Sequence, residues 1–450
     1  MNFYSKTISG WGNYPQVISK VGEPRSYQEL FDALQEKSLI VRGLGRSYAD
    51  QAINENKTTL LFKNFNHFLE FNPHNGILKC EAGVSLEEII QVCVPYGWFP
   101  MITPGTKYVT IGGAIANDIH GKAHHVDGTF VNCVIDFTIL LANGSVIKAS
   151  REENADLFWA NFGGLGLLGI ILSATIQLRK IETTYFKQKA VSVNNIDELL
   201  DNFEKYDEAY NYSVAWVDSL ATGKDLGRGV LTLGNPANLL DLPAKFHRHP
   251  LYTSNTSKIS LPFYLPAYFL NAGTVFLLNR VINFAQSSAS QIEHYEKFFY
   301  PLDVIHQWNK GYGKRGFIQY QFVIPTENGR QNIKNILNAI TQSGCRPFLN
   351  VLKKLGKKQG LLSFPFEGYT FAIDFPVTHN LLPFIEKLDN IILDYGGRIY
   401  LGKDALLHRE VFEKMYPELP EWKRIKQKYD PEGIFTSNIS RRLGLNDYTG

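Results

Sequence analysis

Two glycine turns and a histidine cluster carry the residue types and spacings in this chain that could do chemistry. The first turn is Val41-Arg42-Gly43-Leu44-Gly45-Arg46-Ser47-Tyr48. Glycine adopts positive φ freely, so such a turn can aim successive backbone N–H groups into one concavity. That concavity can hold a pyrophosphate without a basic side chain. The second turn is Pro104-Gly105-Thr106, followed by Thr110-Ile111-Gly112-Gly113-Ala114. Small residues here would let a flat ring or a phosphate lie against the backbone. A helix start packed closely on a sheet would use the same residues. Next comes Asn117-Asp118-Ile119-His120-Gly121-Lys122-Ala123-His124-His125. His120 reads either as a structural imidazole or as one beside a cofactor. An i, i+4 metal pair needs a helix, Gly121 interrupts the cluster, and no carboxylate stands at ligand-like spacing, so no metal is predicted.

Gly164-Leu165-Gly166-Leu167-Leu168-Gly169 matches the nicotinamide fingerprint letter for letter. That fingerprint needs a strand before it, a helix after it and an acid about 20 residues on. Here a helix is predicted before it and a strand after it, and residues 187–191 hold no acid. A nicotinamide site is therefore rejected.

The elements that must position these turns can be read from pattern. Strands are predicted at 38–41, 59–62, 76–79 and 170–179, and a hairpin at 136–148 around Asn143-Gly144. Ser85, with Glu88 three residues on, starts a helix over 85–94, and another spans 154–162. Beyond about residue 184 the pattern becomes strand-rich: 212–217, 229–233, 316–324, 349–352 and 368–375, with helices at 195–206 and 331–342. Helices at 404–416 and 421–429 close the chain. The reading is an α+β chain whose second, sheet-rich part begins near residue 184.

Composition sets outer limits. The chain has 450 residues, 44% hydrophobic and 20% charged, as globular chains do. Its net charge of +3 is too balanced for a nucleic-acid binder that works through a basic surface. Cys80, Cys93, Cys133 and Cys345 show neither CxxC pairing nor metal spacing and read as core thiols. No signal peptide or run of about 18 apolar residues is visible, which predicts a cytoplasmic protein without a spanning helix. The most apolar stretch, 259–284, is broken by Pro262, Pro266 and Gly273. It reads as a buried loop and helix or as a flap that touches a membrane surface.

The two glycine turns, in this order, resemble the FAD domain of vanillyl-alcohol-oxidase-type flavoenzymes. The likeness extends through VRGLGRSYAD, PGTKYVTIGGAIANDIHGKAHH, LFWANFGGLGLLGII, SVAWVD, GFIQYQFVIPTE and GGRIY-x-x-KD to SRRL near the C-terminus. In that extent and order it is similar to the decaprenylphosphoryl-β-D-ribose 2-oxidase family. The resemblance implies a two-domain PCMH-type FAD-binding fold. Residues 1–183 would form the FAD domain, 184–397 the substrate domain, and 398–450 a segment returning to the FAD domain. It also implies that Arg42, Gly43, Leu44, Gly45, Arg46, Ser47, Tyr48, Gly105, Thr110, Ile111, Gly112, Gly113, Asn117, Ile119, His120, Ile171 and Tyr400 line the flavin.

The implied reaction removes a hydride from C2 of a polyprenylphosphoryl ribose, and an NADH-dependent short-chain reductase carries the keto sugar on to arabinose. An oxidase of a soluble polyol or aldonolactone is the alternative on the same scaffold. Lys403 matches a lysine that stabilises negative charge on the flavin, and Lys353 a lysine that contacts substrate. Gln319 and Gln321, two apart on a strand, face one side and suit sugar hydroxyls. Trp216 would wall the pocket, with Tyr48 beside the substrate. His120 is a candidate general base, with Lys403 the alternative if its pKa is depressed. Two departures stand out. Arg46 replaces the histidine that carries a covalent flavin in many relatives, which implies a non-covalent FAD. Thr370 and Ala372 stand where mycobacterial members carry Asn and Cys.

Overall fold

The computed structural model describes residues 1–218, 220–253, 259–266, 291–345 and 347–448. From residue 267 on, the apolar stretch 259–284 lies outside the described residues, whereas Ile259 and Phe263 are described and exposed. Among the described residues, no helix is long and apolar enough to cross a membrane.

Alternation of inward and outward residues builds the first sheet. In Gln16–Gly22 the inward Val17, Ser19 and Val21 are buried while Gln16, Ile18 and Lys20 are exposed. This strand (β2) pairs antiparallel with β1 (Phe3–Ser9) and parallel with β4 (Thr58–Leu61), which pairs in turn with β3 (Leu39–Arg42). A second sheet runs β5 (Phe68–Asn72), β6 (Ile77–Glu81), β10 (Ile170–Lys180), β8 (Val134–Leu140) and β9 (Val146–Ser150), with β7 (Trp98–Pro100) on β10. The β8–β9 hairpin turns through Gly144 at φ +83°. Ser85 and Glu88 form the capping box of the helix Leu86–Cys93, satisfying two otherwise orphan N–H groups.

The third sheet has eight strands. Their order is β15 (Gln291–His294), β11 (Tyr185–Val193), β13 (Gly229–Pro236), β12 (Tyr212–Val217), β18 (Asn350–Leu355), β19 (Gly368–Pro376), β17 (Phe317–Pro325) and β20 (Arg398–Ile399). A short parallel ladder joins β14 (Ile259–Ser260) to β16 (Ile305–His306). One face of β17 carries Ile318, Tyr320, Phe322 and Ile324, all buried, with the helices Gly329–Gln342 and Leu381–Asp394 packed against that strand. The opposite face is turned to the glycine turns. The C-terminal segment comes back to the first sheet: Leu39 N–H donates to Ile434 O at 2.9 Å, and Thr436 N–H to Leu39 O at 2.9 Å.

Two readings of the sequence change here. The helix expected over 404–416 begins only at Arg409. The Asp404 carboxylate accepts the N–H groups of Leu406 and Leu407, both at 2.9 Å, and pairs with Arg442 at 2.9 Å, which holds the chain in a turn. The helix Leu381–Asp394 was not foreseen; its apolar stripe of Leu381, Ile385, Leu388 and Ile392 is buried.

Candidate active site

The glycine turns meet one another. A Cβ on Gly43 would lie 2.3 Å from Thr110 Oγ1, so the turns approach as closely as backbone permits. Gly45 stands at φ +64°, over the Arg42 guanidinium, which donates to Ser9 O at 2.7 Å and Ala52 O at 3.2 Å. Thr110 caps the short helix Ile111–Ala116 by accepting the Gly113 N–H at 3.2 Å. Gly105 differs: its chain neighbours aside, no heavy atom of the described residues lies within 4 Å of its Cβ position, so this turn opens onto space that they leave free. Arg46 stacks on Trp11, 3.9 Å from the ring centroid, and reaches Tyr108 at 5.2 Å. Ile119 and Ile171 are buried, and Leu44 is exposed.

The segment 117–120 is clamped from both sides. Asp118 takes φ +41° and is fully buried; Ser363 Oγ and the Val131 N–H donate to its carboxylate. Burial lifts its pKa to about 6. Tyr400 OH donates to Asn117 O at 2.9 Å, and its ring lies 5.2 Å from that of His120. His124 Nδ1 accepts the Gly356 N–H at 2.8 Å, while His125 Nε2 lies 3.1 Å from Tyr210 O. The three histidines thus serve different partners.

Strand register gathers the remaining residues. Gln319 lies opposite Asp374, Gln321 opposite Ala372, Lys353 opposite Thr370, and Val351 opposite both Ala372 and Trp216. Cross-strand partners share a face, so Trp216, Lys353, Gln319 and Gln321 all stand on the side of the sheet turned to the turns. Tyr400 N–H donates to Gln321 O at 2.8 Å, which seats the turn bearing Lys403 at the sheet edge. Lys403 Nζ lies 5.2 Å from the Tyr48 ring centroid.

The electrostatics are one-sided. Burial lowers Lys353 to about 8, and burial with the nearby Lys353 lowers Lys122 to about 7. Lys403 is brought down to about 7 by burial and by Lys353, with Asp374 acting the other way. Burial, then Lys353, His124 and Lys403, hold His120 far below its ordinary value. Against these cations stands Asp374, fully buried and raised to about 6 by desolvation. Gln319 Nε2 donates to it at 2.5 Å and Tyr312 OH at 3.0 Å. Because the ionised carboxylate only accepts, it fixes the Gln319 amide with Nε2 toward Asp374 and Oε1 turned away.

All the residues singled out from sequence on β12, β17, β18 and the Lys403 turn therefore come together with Tyr48 and His120. Asp374, Tyr312 and Lys122 were missed. Asp374 becomes visible only once the β17–β19 register is known. Lys122 lies within the segment 117–125, and its burial becomes visible only in the folded chain.

The residues present fit a flavin. Gly105 leaves open space beside its turn, and Asn117 Oδ1, His120 Nδ1, Arg46 Nε, Trp216 Nε1 and Gln319 Oε1 are buried with no hydrogen-bond partner among the described residues. Buried polar atoms are nearly always paired, so this cluster is built for a polar ligand.

Comparison with known proteins agrees. Residues 16–150 match the FAD binding domain family, and residues 314–443 match the family described as D-arabinono-1,4-lactone oxidase. The molecule is a FAD-dependent oxidoreductase with the two-domain PCMH-type fold. Decaprenylphosphoryl-beta-D-ribose oxidase of Mycolicibacterium smegmatis is 36% identical, over 98% of each chain. L-gulonolactone oxidase of Mus musculus is 24% identical, over 94% of this chain and 93% of its own. The chain belongs to the decaprenylphosphoryl-β-D-ribose oxidase family.

Proposed function

We propose that this chain oxidises the C2 hydroxyl of a polyprenylphosphoryl-β-D-ribose to the 2-keto sugar. The observation that carries the reading is the single sheet face bearing Lys353, Gln319, Gln321 and Trp216, set against Lys403, Tyr48 and His120. It combines hydrogen-bonding groups for a sugar with buried positive charge for its phosphate, and it occurs in a chain 36% identical to a decaprenylphosphoryl-ribose oxidase.

FAD, when bound between the glycine turns and this face, supplies the hydride acceptor. Arg42, Gly43, Leu44, Gly45, Arg46, Ser47, Tyr48, Gly105, Thr110, Ile111, Gly112, Gly113, Asn117, Ile119, His120, Ile171 and Tyr400 would hold it. Gln319 Oε1 accepts from a sugar hydroxyl, because Asp374 holds the amide nitrogen. Gln321 and Trp216 complete the wall, and Lys353 faces the anionic end of the substrate. Lys403 takes the hydroxyl proton on Nζ: a buried amine lowered to about 7 is partly neutral at neutral pH and can accept it. Once protonated, it sits as a cation where negative charge develops.

Arg46 occupies the place of the flavin-linking histidine, so the FAD is non-covalent, and acid precipitation leaves the flavin in the supernatant. The keto product passes to an NADH-dependent short-chain reductase. Ile259 and Phe263, 71% and 63% exposed, give a lipid-bearing substrate or its membrane an apolar contact.

Anaerobic addition of a polyprenylphosphoryl ribose is expected to bleach the flavin absorbance within seconds. Bleaching by L-gulono-1,4-lactone and not by the lipid-linked ribose would favour the second reading, a soluble aldonolactone oxidase. That reading draws on the lactone-oxidase family match over 314–443.

A further inference from the structure

We infer that Thr370 is a positioning residue that, through Gln321, fixes His120 as a hydrogen-bond donor and not as a base. The inference rests on the flavoenzyme reading above and adds a role that the site residues alone do not assign.

Three contacts form a directed chain. Thr370 Oγ1 donates to Phe322 O at 2.8 Å, so its own proton is committed to the strand. The Thr370 oxygen is thereby left to accept, and Gln321 Nε2 lies 3.0 Å away. The same Nε2 lies 3.1 Å from His120 Nε2. An amide nitrogen has two protons and no lone pair to offer, so its partners at Thr370 and His120 must both be acceptors. Turning the Gln321 amide over would place its oxygen at both contacts. That arrangement needs the hydroxyl proton of Thr370 and a proton on His120 Nε2, and it makes two bonds where the first makes three. Being buried, the network has no water to make up the difference.

The consequence falls on the imidazole. A nitrogen that accepts carries no proton, so His120 is neutral and its proton sits on Nδ1. Nδ1 is buried and has no hydrogen-bond partner among the described residues. It is a donor waiting for an oxygen of the cofactor or substrate. The groups facing the ring agree: Lys353, Lys403 and His124 are cationic or potentially so, and the neighbouring rings are Tyr400 and Phe364. A cationic imidazole is disfavoured from every side, and Nε2 is already occupied. His120 is therefore unsuited to abstract the alcohol proton, which leaves that step to Lys403.

Thr370 is the part of the chain that can be removed most cleanly, because Val has the same shape and no hydroxyl. In the FAD-loaded Thr370→Val protein, Gln321 loses the acceptor that fixes its amide. The ¹⁵N spectrum of imidazole-labelled protein, with His120→Asn used to assign the signal, reads the outcome without substrate. The resting wild type is expected to show proton-bearing Nδ1 and bare Nε2. Thr370→Val is expected to move proton density onto Nε2 and to slow flavin reduction about tenfold, the value of one lost hydrogen bond. Thr370→Ser is expected to restore both. If Thr370→Val folds poorly, Gln321→Glu serves, since its carboxylate can only accept and must draw a proton onto Nε2. A wild-type His120 with its proton on Nε2, or a tautomer unmoved by whichever of these variants folds, overturns the inference. The tautomer is read on resting protein, so loss of the ribose reading alone would not mimic that result.

Discussion

The two glycine turns and the basic sheet face line one site but are built by opposite means. Residues 42–48 and 103–113 shape it largely with backbone: at Gly43 the gap to Thr110 admits no Cβ. The face formed by β12, β17, β18 and β19 shapes it with side chains whose chemistry comes from burial. Backbone can hold a fixed cofactor without any change of charge. Moving a proton requires titratable groups, and here desolvation, helped by the neighbouring charge of Lys353, brings Lys403 and Lys122 near neutrality. The same chain therefore spends glycine on the resident group and buried lysine on the reaction.

The largest separation of the two regions is expected from Lys403→Met. Loss of a charge that matters only as the reaction proceeds costs about two to three powers of ten in the rate of flavin reduction. The variant should remain yellow, because the glycine turns are intact. Stopped-flow reduction within about threefold of wild type would make Lys403 structural.

Glycine substitutions test the other region. Gly43→Ala forces a Cβ to 2.3 Å from Thr110 Oγ1 and is expected to weaken FAD binding by about tenfold or more, read by titrating apoprotein with FAD. Gly105→Ala makes the sharper comparison. Its Cβ meets no atom of the described residues within 4 Å, its chain neighbours aside, so the apoprotein should melt as wild type does while FAD affinity falls. An unchanged affinity would mean that the open space beside Gly105 is not where the cofactor lies.

The smallest effect concerns stability. Lys353 is held at about 8 in the folded protein against an ordinary value of 10.5, because burial penalises its charge. Between those values the unfolded chain binds more protons, so this group's contribution to stability rises with pH there and is at its least favourable below about 8. Lys353→Met should therefore raise the melting temperature at pH 7 by about two to four degrees. The gain should shrink toward pH 10, and an equal gain at both pH values would refute the assignment of burial as the cause.

Much of the first region was legible because its signals are local. Gly43 and Gly45 follow a strand in sequence, the Ser85–Glu88 box lies within four residues, and Asn143-Gly144 marks its own hairpin. The strands expected at 212–217, 316–324 and 368–375 were visible by residue type, but which of them are neighbours was not. Sheet order places β18 between β12 and β19, with β17 beyond, an arrangement that no spacing along the chain encodes.

The sequence by itself determined the glycine turns, most of the elements and the presence of Lys403, Lys353, Gln319, Gln321 and His120. Only the tertiary structure decided what those residues are. Pairing Gln319 with Asp374 gave its amide a direction, and pairing Lys353 with Thr370 turned a lysine of a polar-looking strand into the site. Burial brought three lysines toward neutrality. The physical reason is that protonation state and hydrogen-bond direction depend on the distance to groups far away in the chain, and a sequence carries residue types but not those distances.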